Sequence, residues 1–381
     1  MKKRQIPFCV LNISDDEMQA VLEALKRGEE VCRYVERLED AFAEFIDTSY
    51  SIATADGTSA LHLALAALGV RRGDRVICSV NCHPFVPEVI RHFDSIPLLV
   101  DIHPDDYNLQ STHCEELLRE QGARKIKAII VSHIAGNAAD LEAFYDLKYR
   151  YGVPIIDDAT MALGLHYHGR RIGSLESDAT IFSFAFERPG ALANGGMIVT
   201  KNQSFAHKMR LLRHHAITRE EYVKNRPSYM YDIIDRGYRY DTTQLNAAFC
   251  LAQLRKIDSM TRRRQEIAAL YTKQLEGIAH ITTPSNPQSI YSAYIVRVAK
   301  NRDNMARELS AAGIATDLHF VPIHLLSYYK NKYSFKVSQF SNALNNYQRI
   351  LSLPIYSCLR DDEVLYVCEQ IRKINQKWTE R

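Results

Sequence analysis

The apolar residues change their period along the chain. Over 14–46 they recur at helical spacing behind Ser14, a serine suited to cap a helix, and a run of acids. From about residue 51 short apolar runs alternate with helical segments. "SIATA" reads as a strand, and "TSALHLALAALGV" as a helix ending near Gly69. "RVICSV" (75–80), "IPLLVDI" (96–102), "KAIIVSHI" (127–134) and "VPIIDDA" (153–159) are rich in Val and Ile, and "ADLEAFYDLKYRYG" between the last two is helical. "FSFAFERPGALANGGMIVT" (182–200) reads as a strand, a loop and a second strand entered through Gly195-Gly196. Buried strands alternating with helices predict an α/β fold with a mostly parallel sheet covered on both faces.

After about residue 244 the chain is helical through "QLNAAFCLAQLRKIDSMTRRRQEIAALYTKQLEG". A second style follows, with strands expected at "SAYIVRVA" (292–299) and "ATDLHFVPI", a helix at "RDNMARELSAAGI" and a last helix from near Asp361. The 381 residues exceed what one core usually holds. We therefore expect a large α/β domain over 1–255, with its N-terminal helical segment, and a smaller C-terminal α+β domain over 256–381.

Composition changes this picture little. At 46% hydrophobic and 24% charged the balance is that of a globular protein. A net charge of +3 argues against nucleic acid as partner, and the basic runs "RRGDR" and "TRRRQ" read as solvated surface. Eight cysteines are scattered without a C-x-x-C pair, so no zinc site is expected, and reduced thiols in a cytoplasm suit them. No signal-peptide pattern and no apolar run of about 18 residues is present, so no membrane is expected as partner.

Candidate chemistry falls at the strands' carboxyl ends, where open α/β sheets bind ligands. Gly57-Thr58-Ser59 opens a helix, which suits a phosphate, although such a turn more often serves as plain capping. Asp158 ends a buried strand, either as acceptor for a protonated ring nitrogen or as a helix cap. Ser183 suits a phosphate oxygen, and His83, in "NCHPF", could lie on a planar ring or be a structural histidine. A dinucleotide-binding reading is disfavoured, because no G-x-G-x-x-G follows the first strand.

Taken in order, "GTSALHLALAALGV" with "GDRVI", "VDIHPDDYNL", "KAIIVSHIAGNAADLEA", "GVPIIDDA", "GRRIGSLESDATIFSF", "GGMIVT", "GYRYDTTQLNAA", "GIATDLHFVPIHLLSYY" and "LSLPIY" resemble the DegT/StrS-type nucleotide-sugar aminotransferases over nearly the whole chain. The resemblance implies fold type I, with a seven-stranded sheet in the large domain. It implies pyridoxal phosphate or its aminated form, pyridoxamine phosphate, as cofactor, and a nucleotide-linked sugar as substrate. It also implies a homodimer with shared active sites, making sugars for surface glycans or antibiotics. Thr58, Ser59 and Ser183 match the groups that hold the cofactor phosphate. Asp158 matches the aspartate on the pyridine nitrogen, and His83 stands where an aromatic residue stacks on the ring.

Four positions depart from that pattern. The Schiff-base lysine, five residues after the serine, is Arg188. A glutamine on the ring hydroxyl is Met161; the asparagine that reaches the partner's cofactor phosphate is Arg239, with the next arginine now Asp241; and a glycine is Cys32. Lysine links covalently to the cofactor, is displaced by the amino donor and then carries a proton; arginine, with a pKa above about 12, does none of these near neutrality. Two functions therefore stand open. One is an enzyme of nucleotide-sugar biosynthesis that either uses the aminated cofactor without a lysine or takes a base from elsewhere in the site, with His83, His319 and His324 as candidates. The other is a catalytically degenerate homologue that binds a nucleotide sugar or partners an active paralogue.

Overall fold

The computed structural model describes residues 4–27, 33–184, 194–219, 227 and 229–379. Arg188 and Cys32 lie outside the described residues. The central sheet has seven strands: β1 (Tyr50–Thr54), β2 (Arg75–Ser79), β3 (Ile96–Val100), β4 (Ile126–Ser132), β5 (Ile155–Asp158), β6 (Ala179–Ser183) and β7 (Gly196–Thr200). Their order is β1-β7-β6-β5-β4-β2-β3. Pairings from β3 across to β6 are parallel, and β7 runs antiparallel to both β6 and β1.

Both faces of the sheet are buried, as the near-continuous apolar runs predicted. Ile77, Val131, Ile155, Phe182 and Val199 face one core, and Val76, Ile130, Ile156, Ile181 and Ile198 face the other. The helical segment expected over 14–46 comprises Asp15–Arg27 and Tyr34–Ile46, and the second of these buries Leu38, Phe42 and Ile46 in the first core. A helix over Gly57–Ala67 is rich in Ala and Leu and buried nearly all round, so it threads the second core rather than lying on the surface.

The long helical stretch breaks at Arg255 and Lys256, between helices Gln244–Leu254 and Ile257–Leu275. A third core follows, built from Ile267, Tyr271, Tyr294, Val296, Leu353 and the C-terminal helix (Asp361–Thr379). Ile6 joins it, with its backbone bridged to Ile314. Tyr294–Val298 pairs with Ile350–Leu353 as part of a three-stranded antiparallel sheet. Among the described residues no helix is long and apolar enough to cross a membrane.

The strand expected at "ATDLHFVPI" does not form. A single bridge occurs in it, at Asp317, and another just before it, at Ile314. Further along, the backbone turns to the residues after β2: Phe320 N–H donates to Asn81 Oδ1 at 3.1 Å, and Ile323 N–H to the Val80 carbonyl at 2.8 Å. Those bonds satisfy the backbone of a segment that carries strand-like side chains, so no ladder is needed.

Candidate functional site

The carboxyl ends of β1, β5 and β6 open on one edge. Cross-strand partners show this directly: Ser132 lies opposite Asp158, Asp158 opposite Ile181, and Ser183 and Thr54 both opposite Gly196. The backbone is crowded at this edge. A Cβ at Gly196 would lie 2.1 Å from the Asp56 carbonyl oxygen and 2.4 Å from Thr54 Oγ1, so only glycine fits.

The helix that starts at Gly57 supplies one wall. Asp56 caps it: its carboxylate accepts the Ser59 N–H at 2.7 Å, and the Asp56 N–H donates to Ser59 Oγ at 3.0 Å. The Ser59 hydroxyl is thus engaged in the cap, while Thr58 is exposed. Ala60 N–H donates to the Asp56 carbonyl. Of the first turn, the amides of Gly57 and Thr58 have no partner among the described residues, and they stand at the positive end of the helix dipole. A Cβ on Gly57 would come within 3.2 Å of Thr160 Cγ2 and 3.3 Å of Ser183 Cβ. Glycine here leaves a cradle bounded by three elements, and a methyl group would narrow it.

Asp158 forms the floor. Its side chain is buried, which pushes its pKa above the usual carboxylate value. Hydrogen bonds from Thr160 and Ser132, and the nearby His83, act in the opposite direction. Thr160 Oγ1 donates to Oδ1 at 2.6 Å, Thr160 N–H to the same oxygen at 3.2 Å, and Ser132 Oγ to Oδ2 at 2.8 Å. The sequence reading missed Thr160 and Ser132. Thr160 lies two residues from Asp158 and was within reach of an Asx-turn argument, whereas Ser132 sits on the neighbouring strand and becomes a partner only through register.

His83 follows β2 and is half-buried. Its ring lies 5.6 Å from Phe320 at 88° and 5.3 Å from Phe85, and Nδ1 accepts the Phe85 N–H at 3.3 Å. Met161 is half-buried and packs on the second core. The other two histidines are engaged elsewhere. His319 is buried, with Nδ1 2.8 Å from Ser352 Oγ and its ring stacked on Phe8. His324 donates from Nε2 to the Val337 carbonyl at 3.0 Å, and burial makes it a weaker base than usual.

Arg239 is not gathered into this edge. It is exposed, on a segment whose Tyr240 carbonyl accepts the Ala55 N–H at 2.9 Å. Tyr238 and Tyr240 stack in parallel on one side of that segment and pack against His62 of the Gly57–Ala67 helix. Asp241 is held by His214 and Arg213 of the same chain.

These residues suit a flat ring that carries a phosphate and a protonated nitrogen. The amides and Ser183 would take the anion, and the buried carboxylate the ring N–H. Known proteins resemble the chain over nearly its whole length. The pattern of the DegT/DnrJ/EryC1/StrS aminotransferase family matches residues 11–372. The spore coat polysaccharide biosynthesis protein SpsC of Bacillus subtilis is 31% identical over 381 residues, covering 97% of each chain. Among solved structures, Spr1654 of Streptococcus pneumoniae in its PMP-form superposes with a TM-score of 0.88 at 27% identity, over 98% of this chain and 100% of that one. The aminotransferase TlmJ of Streptoalloteichus hindustanus gives 0.88 at 26% identity, over 98% and 100%.

Proposed function

Because the chain belongs to the DegT/DnrJ/EryC1/StrS aminotransferase family, a sugar aminotransferase-like family of polysaccharide and sugar biosynthesis, we propose that it holds pyridoxal or pyridoxamine phosphate in this cradle without a covalent bond and acts on a nucleotide-linked keto-sugar. The observation that carries this reading is the convergence of Gly57, Asp158, Thr160 and Ser183 on one space, together with arginine where the family has its lysine. When bound, the protonated pyridine ring supplies an electron sink. The Gly57 and Thr58 amides and the Ser183 hydroxyl bind its phosphate. Asp158 accepts the ring N–H and holds the nitrogen protonated, and His83 rests on the ring face. Met161 offers no strong hydrogen bond to the ring hydroxyl, so that edge is held by packing alone. Arg188 binds an anion, phosphate or carboxylate, in bidentate fashion, and has no neutral amine to give.

In this reading the working unit is a cytoplasmic homodimer. Tyr229, Tyr231, Ile233 and Ile234, on the stretch that leads to Arg239, are all exposed, apolar residues that a second copy would cover. Sedimentation at micromolar concentration should give a dimer; a monomer removes Arg239 from any shared site.

Titration with pyridoxamine phosphate and with nucleotide sugars, in wild type and Arg188→Ala, tests the proposal. Wild type should bind both kinds of ligand. The variant should lose about tenfold or more in affinity for the ligand whose anion Arg188 meets, the equivalent of ~1.5–3 kcal/mol. Binding of nucleotide sugar alone would favour the degenerate homologue. Binding of neither at millimolar concentration would make the site vestigial.

A further inference from the structure

Asp158 offers a more exact question than whether it meets a ring nitrogen, namely which of its oxygens does so. An ionised carboxylate has about four lone-pair sites, two on each oxygen. Oδ1 already receives two donors, both from Thr160, the hydroxyl at 2.6 Å and the amide at 3.2 Å. Oδ2 receives one, the Ser132 hydroxyl at 2.8 Å. One acceptor site is left, and it is on Oδ2. Thr160 also shapes the space, since its Cγ2 is the atom nearest to a Cβ built on Gly57. The residue therefore has two separable parts: a hydroxyl that engages the carboxylate and a methyl that lines the cradle.

We propose that Thr160 is a positioning residue for Asp158, filling Oδ1 so that the carboxylate is fixed in rotation and receives an incoming ring N–H through Oδ2 alone. The inference rests on the cofactor reading above for its ligand, but the state of the carboxylate can be measured without any ligand. Charge-assisted hydrogen bonds stabilise the ionised form, so losing the Thr160 hydroxyl makes Asp158 easier to protonate. Restoring a hydroxyl reverses this. A role confined to packing would give the opposite ranking, because valine keeps the threonine shape and serine does not.

The experiment compares wild type, Thr160→Val and Thr160→Ser in two measurements. The first is a carboxyl ¹³C titration of the ligand-free protein, with the Asp158 signal assigned by its absence in Asp158→Asn. The midpoint should rise by about one unit or more in Thr160→Val and stay near wild type in Thr160→Ser. The second is the affinity for pyridoxamine phosphate, which should fall roughly tenfold in Thr160→Val and recover in Thr160→Ser. An unchanged midpoint in Thr160→Val overturns the proposal, and so does a ranking in which Thr160→Ser is the more damaged variant. If wild type binds no pyridoxamine phosphate, the cofactor reading fails, while the ¹³C titration still decides what Thr160 does to Asp158.

Discussion

Asp157 and Asp158 are consecutive residues of β5, yet they face different surroundings. Asp158 looks toward the cradle and has donors on both oxygens. Asp157 points to the opposite face, where Ser177 and Thr180 donate to Oδ2 and Oδ1 has no hydrogen-bond partner. Across from Oδ1, 3.9 Å away, is His133 Nε2, also without a hydrogen-bond partner. The His133 Nδ1 accepts the Ala139 N–H at 3.1 Å, which leaves the ring proton on Nε2. Burial pushes Asp157 up to about 7 and His133 down to about 3. The contrast is between a carboxylate at the strand end facing the cradle and one sealed in the core, and residue type alone does not distinguish them.

The largest expected effect is at the edge where β1, β6 and β7 meet. Gly196→Ala should cost upwards of ~3 kcal/mol or prevent folding, because its Cβ would meet backbone oxygen at 2.1 Å. A chemical denaturation midpoint near wild type would mean that β1 and β7 can part at this edge. Next is Asp158→Asn. Loss of the charged acceptor should lower affinity for pyridoxamine phosphate by about 10- to 100-fold, or ~1.5–3 kcal/mol. Asp157→Asn should leave that affinity unchanged. Equal losses in both variants would erase the distinction between the two faces.

The third effect is smaller and appears in the pH profile of stability. Between about 4 and 7 the folded state keeps the Asp157 proton that the unfolded chain has released, so this group lowers stability as pH rises. His133 acts oppositely: from about 6.5 down to about 3 the unfolded chain takes up a proton that the folded state refuses, so stability falls as pH falls. The two slopes oppose each other from about 4 to 6.5. Asp157→Asn removes the first and should tilt the profile toward greater stability at the higher pH, relative to wild type. Melting temperatures of both proteins across pH 4–7 would show this, and parallel profiles would contradict it.

Much of the cradle was legible before the structure, because its parts obey local rules. Val- and Ile-rich runs gave the parallel strands, and their ends located Asp158 and Ser183. Other features depend on distant partners. Ser59 had two readings, and its hydroxyl is engaged in the cap with Asp56. The segment after Gly313 has strand-like side chains, but its backbone bonds are divided among Ile6, Ser352, Asn81 and Val80, three of them more than two hundred residues earlier in the chain. The Ser132 bond to Asp158 follows from strand register. A periodic pattern reports which face a residue occupies and says nothing of who meets it there.

The central claim is that this cradle holds its cofactor without a covalent bond. Its most direct test is borohydride reduction of the purified protein with pyridoxal phosphate, followed by mass analysis of the peptide spanning 182–200 and of every lysine-bearing peptide. The account predicts no pyridoxyl adduct on the 182–200 peptide and none above background on any lysine, while pyridoxamine phosphate still binds reversibly. A stoichiometric adduct on a lysine, lost when the cradle is blocked by pyridoxamine phosphate, would contradict it.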